Sequence, residues 1–341
     1  MRDAVVGAAG IAAGFVGAGH AAAGDGRAKS SSKILNYNPD MEYRRLGRTG
    51  LMVSAVSMGG HWKRVDTVLE ATGRTFEENC HDIVGRCIDV GINYIDACCI
   101  AEVCAYSKAL AGRRDKMYLA LSGSEVRNEE YRTAGKLMGR LDSLLKKSNQ
   151  EYTDLWRITC LEPGGRHTFN TSCEIVEALE KAKKQGKARH GGISSHDRRW
   201  LKMMIEHFPQ IEVVLFPYTA RSRVAPKGGL FDALEKCDAG AFGIKPFASN
   251  SLFKGSSAPA DPHAREDDRR ARMAIRYVLC NPRIIPIPGL VSPHQVDNAA
   301  KAVKERRELD LGEARALEEA MDEAWAHLPK NYQWLKHWEY V

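Results

Sequence analysis

The chain has 341 residues, 44% of them hydrophobic and 27% charged, enough to bury one large core. Its net charge is +7, but the basic residues are interleaved with acids, as in Arg265-Glu266-Asp267-Asp268-Arg269-Arg270. No basic stripe with interspersed aromatics is present, which excludes a nucleic-acid reader.

Residues 4–23 are a run of Ala, Gly, Val, Ile and Phe, closed by Ala21-Ala22-Ala23 and followed by a polar stretch. This is the apolar region and small-residue cleavage site of an export signal. Residues 1–33 therefore read as signal and linker, with an exported or periplasmic address. The alternative is a membrane anchor formed by residues 4–23. Nothing further along is apolar enough to span a membrane, and residues 34–341 read as one structural body.

From residue 42 onward, strand-length apolar runs alternate with amphipathic helical spacing. Residues 43–47 and 51–53 predict a β-hairpin around Arg48-Thr49-Gly50. Core strands follow at 54–58, 93–97, 117–121, 154–158, 190–193, 213–216, 242–245 and 284–287. Helices are expected at 76–90, 131–147, 175–185, 200–206, 230–237, 269–279 and 293–305, with one more at 311–326. Eight strand–helix units predict an α/β fold, a closed parallel (β/α)8 TIM barrel with an N-terminal β-hairpin and an extra C-terminal helix. A Rossmann sheet is disfavoured, because no GxGxxG follows an early strand. The tail from residue 332 is rich in Trp and Tyr and is expected across the barrel mouth or at a subunit contact.

Nine cysteines leave at least one outside any intrachain disulfide. Cys87 and Cys280 fall on apolar helix faces and read as buried thiols. Cys98, Cys99 and Cys104 cluster after the second core strand. With His61 they have poor spacing for a soft metal, so no metal site is expected.

Gly91-Ile92-Asn93-Tyr94-Ile95-Asp96-Ala97, with Asp96 ending a strand, resembles the signature of the aldo-keto reductase superfamily. The likeness extends over residues 43–307. It includes Tyr43-Arg44-Arg45-Leu46-Gly47-Arg48-Thr49-Gly50, Gly112-Arg113-Arg114-Asp115-Lys116, Gly192-Ile193-Ser194-Ser195, Pro217-Tyr218 and Ile287-Pro288-Gly289. The resemblance implies a nicotinamide cofactor, NADP or NAD. Ser194, Ser195, Tyr218, Lys245, Gly289, Ser292, Gln295 and Asn298 stand at its cofactor-binding positions. The resemblance also implies a tyrosine that donates a proton, a lysine that pairs with Asp96, and a histidine that orients substrate. In register, those positions hold Ala101, Ser122 and Thr159. Most of the proton-transfer machinery is therefore replaced.

Side chains alternate along a strand, so if Thr159 faces the barrel mouth, Arg157 does too, one layer lower. An inward arginine needs a partner, and Asp96 is the natural one. Their pairing is either a rebuilt counter-ion for catalysis or a purely structural ion pair. His61, after the first core strand, is a candidate acid or base, or else a rim histidine bonded to a carbonyl. The expected catalytic set is thus Asp96, His61, Arg157 and Thr159. Tyr106 with Lys108 sits too far into a helix to replace the tyrosine. His196-Asp197 reads as a helix cap. The expected function is an NAD(P)-linked oxidoreductase with a rebuilt site, acting on a small polar carbonyl or sugar. The alternatives are an inactive reductase-like barrel that binds a ligand or partner, and a non-redox enzyme on a keto-sugar.

Overall fold

A computed structural model describes residues 34–60, 63–123, 125–160 and 168–341. Residues 1–33, where a signal and linker are expected, and His61 lie outside the described residues.

The chain first builds a plug. Strands β1 (Tyr43–Arg45) and β2 (Met52–Ser54) pair antiparallel through a turn at Gly47–Thr49. Gly47 has φ +49°, and a Cβ there would lie 2.2 Å from the Gly240 nitrogen, so only glycine lets the turn seat against the barrel floor. This contact pushes Leu46 and Val53 into the bore, where both are buried. Asn93 fastens the plug from below. Its Oδ1 accepts from the Ser54 N–H at 2.8 Å, and its Nδ2 donates to the carbonyls of Leu35 (2.8 Å) and Met52 (3.0 Å).

The barrel follows in chain order: β3 (Met58–Gly59), helices α1 (Val65–Thr72) and α2 (Phe76–Asp89), β4 (Tyr94–Ala97), α3 (Ile100–Ala109), β5 (Tyr118–Gly123), α4 (Ala134–Ser148), β6 (Thr153–Cys160), α5 (Phe169–Lys184), β7 (Ala188–Ser195), α6 (Arg198–His207), β8 (Val213–Pro217), α7 (Leu230–Lys236), β9 (Gly240–Ile244), α8 (Ala264–Leu279), β10 (Ile284–Ile287) and α9 (Pro293–Lys304). Strands β3 to β10 lie parallel in sequential order. The seam between β3 and β10 closes through Ser57 N–H to Pro286 O (3.0 Å), Gly59 N–H to Pro288 O (2.8 Å) and a Gly59–Gly289 bridge. The result is the expected (β/α)8 barrel with its hairpin. The further helix α10 (Leu311–Ala326) is clamped to α8 by Arg276, which donates to Glu313.

The two-residue period of each strand sorts side chains into two cores. Tyr94, Tyr118, Ala120, Leu155, Leu215 and Phe242 fill the bore. Ile95, Leu119, Trp156, Ile193 and Phe216 face the helices.

Several boundaries differ from the sequence reading. Ser54 belongs to the hairpin, opposite Tyr43, and the first barrel strand is only Met58–Gly59. The chain needs residues 55–57 to swing from plug to wall, with the Ala55 N–H still bound to the Glu42 carbonyl. Helix α5 starts at Phe169, under a Thr168 cap, because its first turn is polar and carries no apolar spacing. Cys280 is exposed at the end of α8 rather than buried. Cys87 is fully buried. Among the described residues no helix is long and apolar enough to cross a membrane.

The tail returns across the C-terminal end of the barrel. Residues Lys330–Trp338 form short helical turns. Trp338 stacks on Phe216 at 6.1 Å, and its carbonyl accepts from Ser222 Oγ at 2.8 Å. Val341 pairs with the backbone of Arg223 and Ala225.

Candidate active site

In a parallel barrel the residues just past each strand share one face, where chemistry is placed. There β4 and β6 set Asp96 and Arg157 side by side, each side chain 3% exposed. Arg157 Nε reaches Asp96 Oδ1 at 3.1 Å, and Nη2 reaches Oδ1 and Oδ2 at 3.0 and 2.9 Å. Burial works against the guanidinium charge, but the adjacent carboxylate more than offsets it and holds Arg157 cationic. One layer up, Arg157 Nη1 donates to Thr159 Oγ1 (2.9 Å), which lies 2.9 Å from Ser122 Oγ. Cys98 Sγ sits 3.3 Å from Asp96 and 3.2 Å from Arg157 Nη2. Burial, then the Asp96 charge, push that thiol well above its usual range, so it stays protonated. Glu102 on α3 is buried and accepts from the Cys98 N–H at 2.6 Å.

Arg157, Thr159 and Ser122 are bonded to one another and to Asp96, and neither hydroxyl is an acid near neutrality. Ala101 lies exposed on the first turn of α3 and contributes nothing to this inner network. Tyr106 is buried in the core, and Lys108 pairs with Glu77 at the surface, so neither reaches the mouth. Among the described residues no group of three or more His, Cys, Asp or Glu side chains is placed to hold a metal.

Above the network the mouth is cationic and aromatic. Lys63 and Lys245 face Tyr332 and Trp334 of the tail. Trp334 stacks on His196 with ring centroids 3.7 Å apart. Burial, then the Lys245 charge, push the His196 imidazole down to about 3, so it is neutral. Its neighbour Asp197 caps α6, accepting from the Arg199 and Trp200 N–H groups. The loop after β9 has positive φ at Lys245, Ala248, Ser249 and Asn250. Such conformations persist where the surroundings over-determine them, commonly at functional sites.

Two cavities meet here. One, of about 640 Å³, is lined by Asp96, Arg157, Thr159, Ser194, His196 and Lys245. The other, of about 590 Å³, is lined by Ser292, Gln295, Asn298, His294 and Arg265. Lys63, Phe247, Asn250 and Gly289 border both, so the two cavities adjoin. At the second cavity α9 begins. Ser292 Oγ accepts from the Gln295 N–H at 3.3 Å, Pro293 opens the helix, and the helix N-terminus faces the space. Two adjoining cavities, one with a helix N-terminus and walls of both charge signs (Arg74, Arg265, Asp267, Asp268), give room for an extended ligand.

A model of the aldo/keto reductase family matches residues 68–322. The chain belongs to that family. Its members are oxidoreductases, and the family match and the barrel agree. An L-glyceraldehyde 3-phosphate reductase of Escherichia coli O157:H7 is 26% identical over 279 residues, covering 76% of this chain and 76% of that protein. An L-galactose dehydrogenase of Arabidopsis thaliana is 23% identical over 321 residues, covering 86% and 97%. Among solved structures, the holo form of an aldo-keto reductase from Bacillus halodurans superposes with TM-score 0.60 at 20% identity, covering 86% of this chain and 99% of that one. An aldo/keto reductase from Brucella melitensis gives 0.59 at 16% identity, covering 82% and 99%.

Of the residues singled out in the sequence, Asp96, Arg157, Thr159, Ser194, Lys245, Gly289, Ser292, Gln295 and Asn298 line the cleft. Ser195 and Tyr218 do not. Strand alternation turns Ser194 inward and Ser195 outward, where its hydroxyl accepts from the Asp197 N–H. Tyr218 lies in the layer between barrel and helices, edge-on to Phe231. Lys63 and Tyr332 escaped the sequence reading. The only signal for them was an aromatic tail that a soluble protein would not leave in water.

Proposed function

We propose that this chain is an oxidoreductase that uses NADP or NAD to interconvert a small polar carbonyl compound, or a sugar, with its alcohol, through a rebuilt site. The observation that carries this reading is the pair of adjoining cavities, with the Asp96–Arg157–Thr159 network in one and the start of α9 in the other. The dinucleotide, when bound, supplies or accepts a hydride at the substrate carbon. Ser194 would hold its nicotinamide end, and Ser292, Gln295 and Asn298 its phosphate and adenine end. Asp96 keeps Arg157 in place, and Arg157 fixes the Thr159 hydroxyl as a positioned partner for a substrate oxygen. The names of the two relatives, a triose phosphate reductase and a hexose dehydrogenase, support a polyhydroxylated substrate. The leader supports an exported or periplasmic address, with a membrane anchor as the other outcome of N-terminal mass analysis.

The second reading is a ligand-binding barrel without catalysis. It is favoured by the saturation of Asp96, whose two oxygens are both taken by Arg157. One experiment separates the two. Protein purified without added nucleotide is denatured, and the supernatant is assayed for NAD(H) and NADP(H) by mass spectrometry. Thermal shift with each nucleotide runs alongside. Released nucleotide, or a shift, supports the oxidoreductase; neither result leaves the binding module.

A further inference from the structure

Because the inner network releases no proton, carbonyl reduction needs a donor from elsewhere, and the tail carries one. We propose that Tyr332 is the proton donor of this site, held over the cavity by the C-terminal tail and activated by Lys63 and Lys245. This rests on the oxidoreductase reading above.

The geometry is as follows. Tyr332 lines the same cavity as Asp96, Arg157 and Thr159. Lys63 Nζ lies 4.2 Å from its ring centroid and Lys245 Nζ 5.6 Å. Among the described residues neither lysine has a carboxylate within ion-pair distance; the amine of Lys63 donates instead to Ser249. Among the described residues the other charged or titratable groups near Lys245 and the tail, Arg127 included, supply no compensating anion. Arg157 and Cys98 lie toward Lys245, Asp96 is neutralised by Arg157, and His196 behind Trp334 is uncharged. Ammonium groups held against the ring favour the anionic form of the phenol. Burial alone would raise the Tyr332 phenol. The Ser249 and Lys63 side chains, and the charge of Lys245, bring it below the ordinary tyrosine value. Lys245 is also lowered, first by burial.

The tyrosine is anchored on both sides. Two residues on, Trp334 stacks on His196. Farther on, Trp338 is fixed by Ser222, and Arg198 donates to the His337 carbonyl. Beneath it, the positive-φ loop carries Lys245, whose Nζ lies over the ring, and Ser249, which accepts from Lys63. In the reductive direction the substrate carbon takes a hydride from a reduced nicotinamide nucleotide. The carbonyl oxygen takes the Tyr332 proton and becomes the alcohol. The phenolate left behind is held by the two ammoniums and recovers a proton from water at the open mouth.

The test compares the full chain with Tyr332→Phe and Lys245→Met. Ultraviolet difference titration of the wild type should show one phenol ionising below the ordinary tyrosine range. That phenol should vanish in Tyr332→Phe and move upward in Lys245→Met. With glyceraldehyde and a panel of keto-sugars as oxidant and NADPH or NADH as reductant, Tyr332→Phe should lose about 100- to 10,000-fold in kcat. Nucleotide binding, read by fluorescence quenching, should be unchanged. Wild-type kcat should fall as pH rises through the Tyr332 ionisation. Lys245→Met should move that limb to higher pH, which a merely structural tyrosine would not do. A low-range phenol that persists in Tyr332→Phe, or a rate loss under about 10-fold with nucleotide binding intact, overturns the donor role and spares the oxidoreductase reading. Absence of nucleotide binding in the wild type overturns both.

Discussion

Replacing Arg157 by Met tests whether the ion pair in the barrel bore acts as a desolvated unit. The substitution keeps the side chain's bulk but removes all three N–H contacts to Asp96. Asp96 is then left, 2% exposed, beside Cys98 Sγ. Stranding one member of a buried pair costs about 3–5 kcal/mol. At about 2.1 cal/mol/K per residue over roughly 300 folded residues, that is a drop in Tm of about 5–8 °C. Asp96→Leu should cost a similar amount, because it strands the guanidinium. The double variant Asp96→Leu/Arg157→Met removes both charges at once, and should be more stable than either single variant. Urea unfolding of the four proteins closes a double-mutant cycle. Single losses under about 1 kcal/mol, or a double loss equal to the sum within about 0.5 kcal/mol, would refute the reasoning, since water would then be screening the pair.

Two further outcomes follow from particular contacts. The His196 ring should show no titration in NMR above about pH 4, since its protonation lies at about 3. Its folded pKa is below the unfolded value of 6.5, so its contribution to stability is complete above that value and is lost as pH falls toward 3. Trp334→Ala, by opening the ring to water, should return its titration toward the ordinary range. At the other end of the barrel, Asn93→Ala leaves the Ser54 N–H and the Leu35 and Met52 carbonyls without their partner. It should cost about 2–4 kcal/mol in denaturant unfolding and speed hydrogen exchange at Ser54. Unchanged exchange there would show that the plug is held by Leu46 and Val53 alone.

The barrel was legible because each strand and helix repeats a period that is local in sequence. Alternation along β6 is enough to put Arg157 beneath Thr159, and an inward arginine then requires Asp96. The same rule explains the miss at Ser195, one step out of phase with Ser194. Helix α1 went unseen because Val68 is its one buried residue, which leaves no apolar face to read. Lys63 and Tyr332 meet across most of the chain's length, on a loop and a tail with no period. Their meeting depends on left-handed backbone at Lys245, Ala248, Ser249 and Asn250, which no glycine announces.

The β3–β10 seam has a consequence for when the cleft comes into being. Gly59 and Gly289 lie about 230 residues apart, yet their contact forms part of the wall between the two cavities. Contacts so distant in sequence are made late, after the intervening strands have been laid down. Until that seam closes, the wall around Asp96 and Arg157 is incomplete. Any nucleotide that binds does so only to the closed ring, and by mass action it draws the population toward closure. The ligand would then act as the latch of the barrel, and its supply would govern how much of the protein survives proteolysis of the open form.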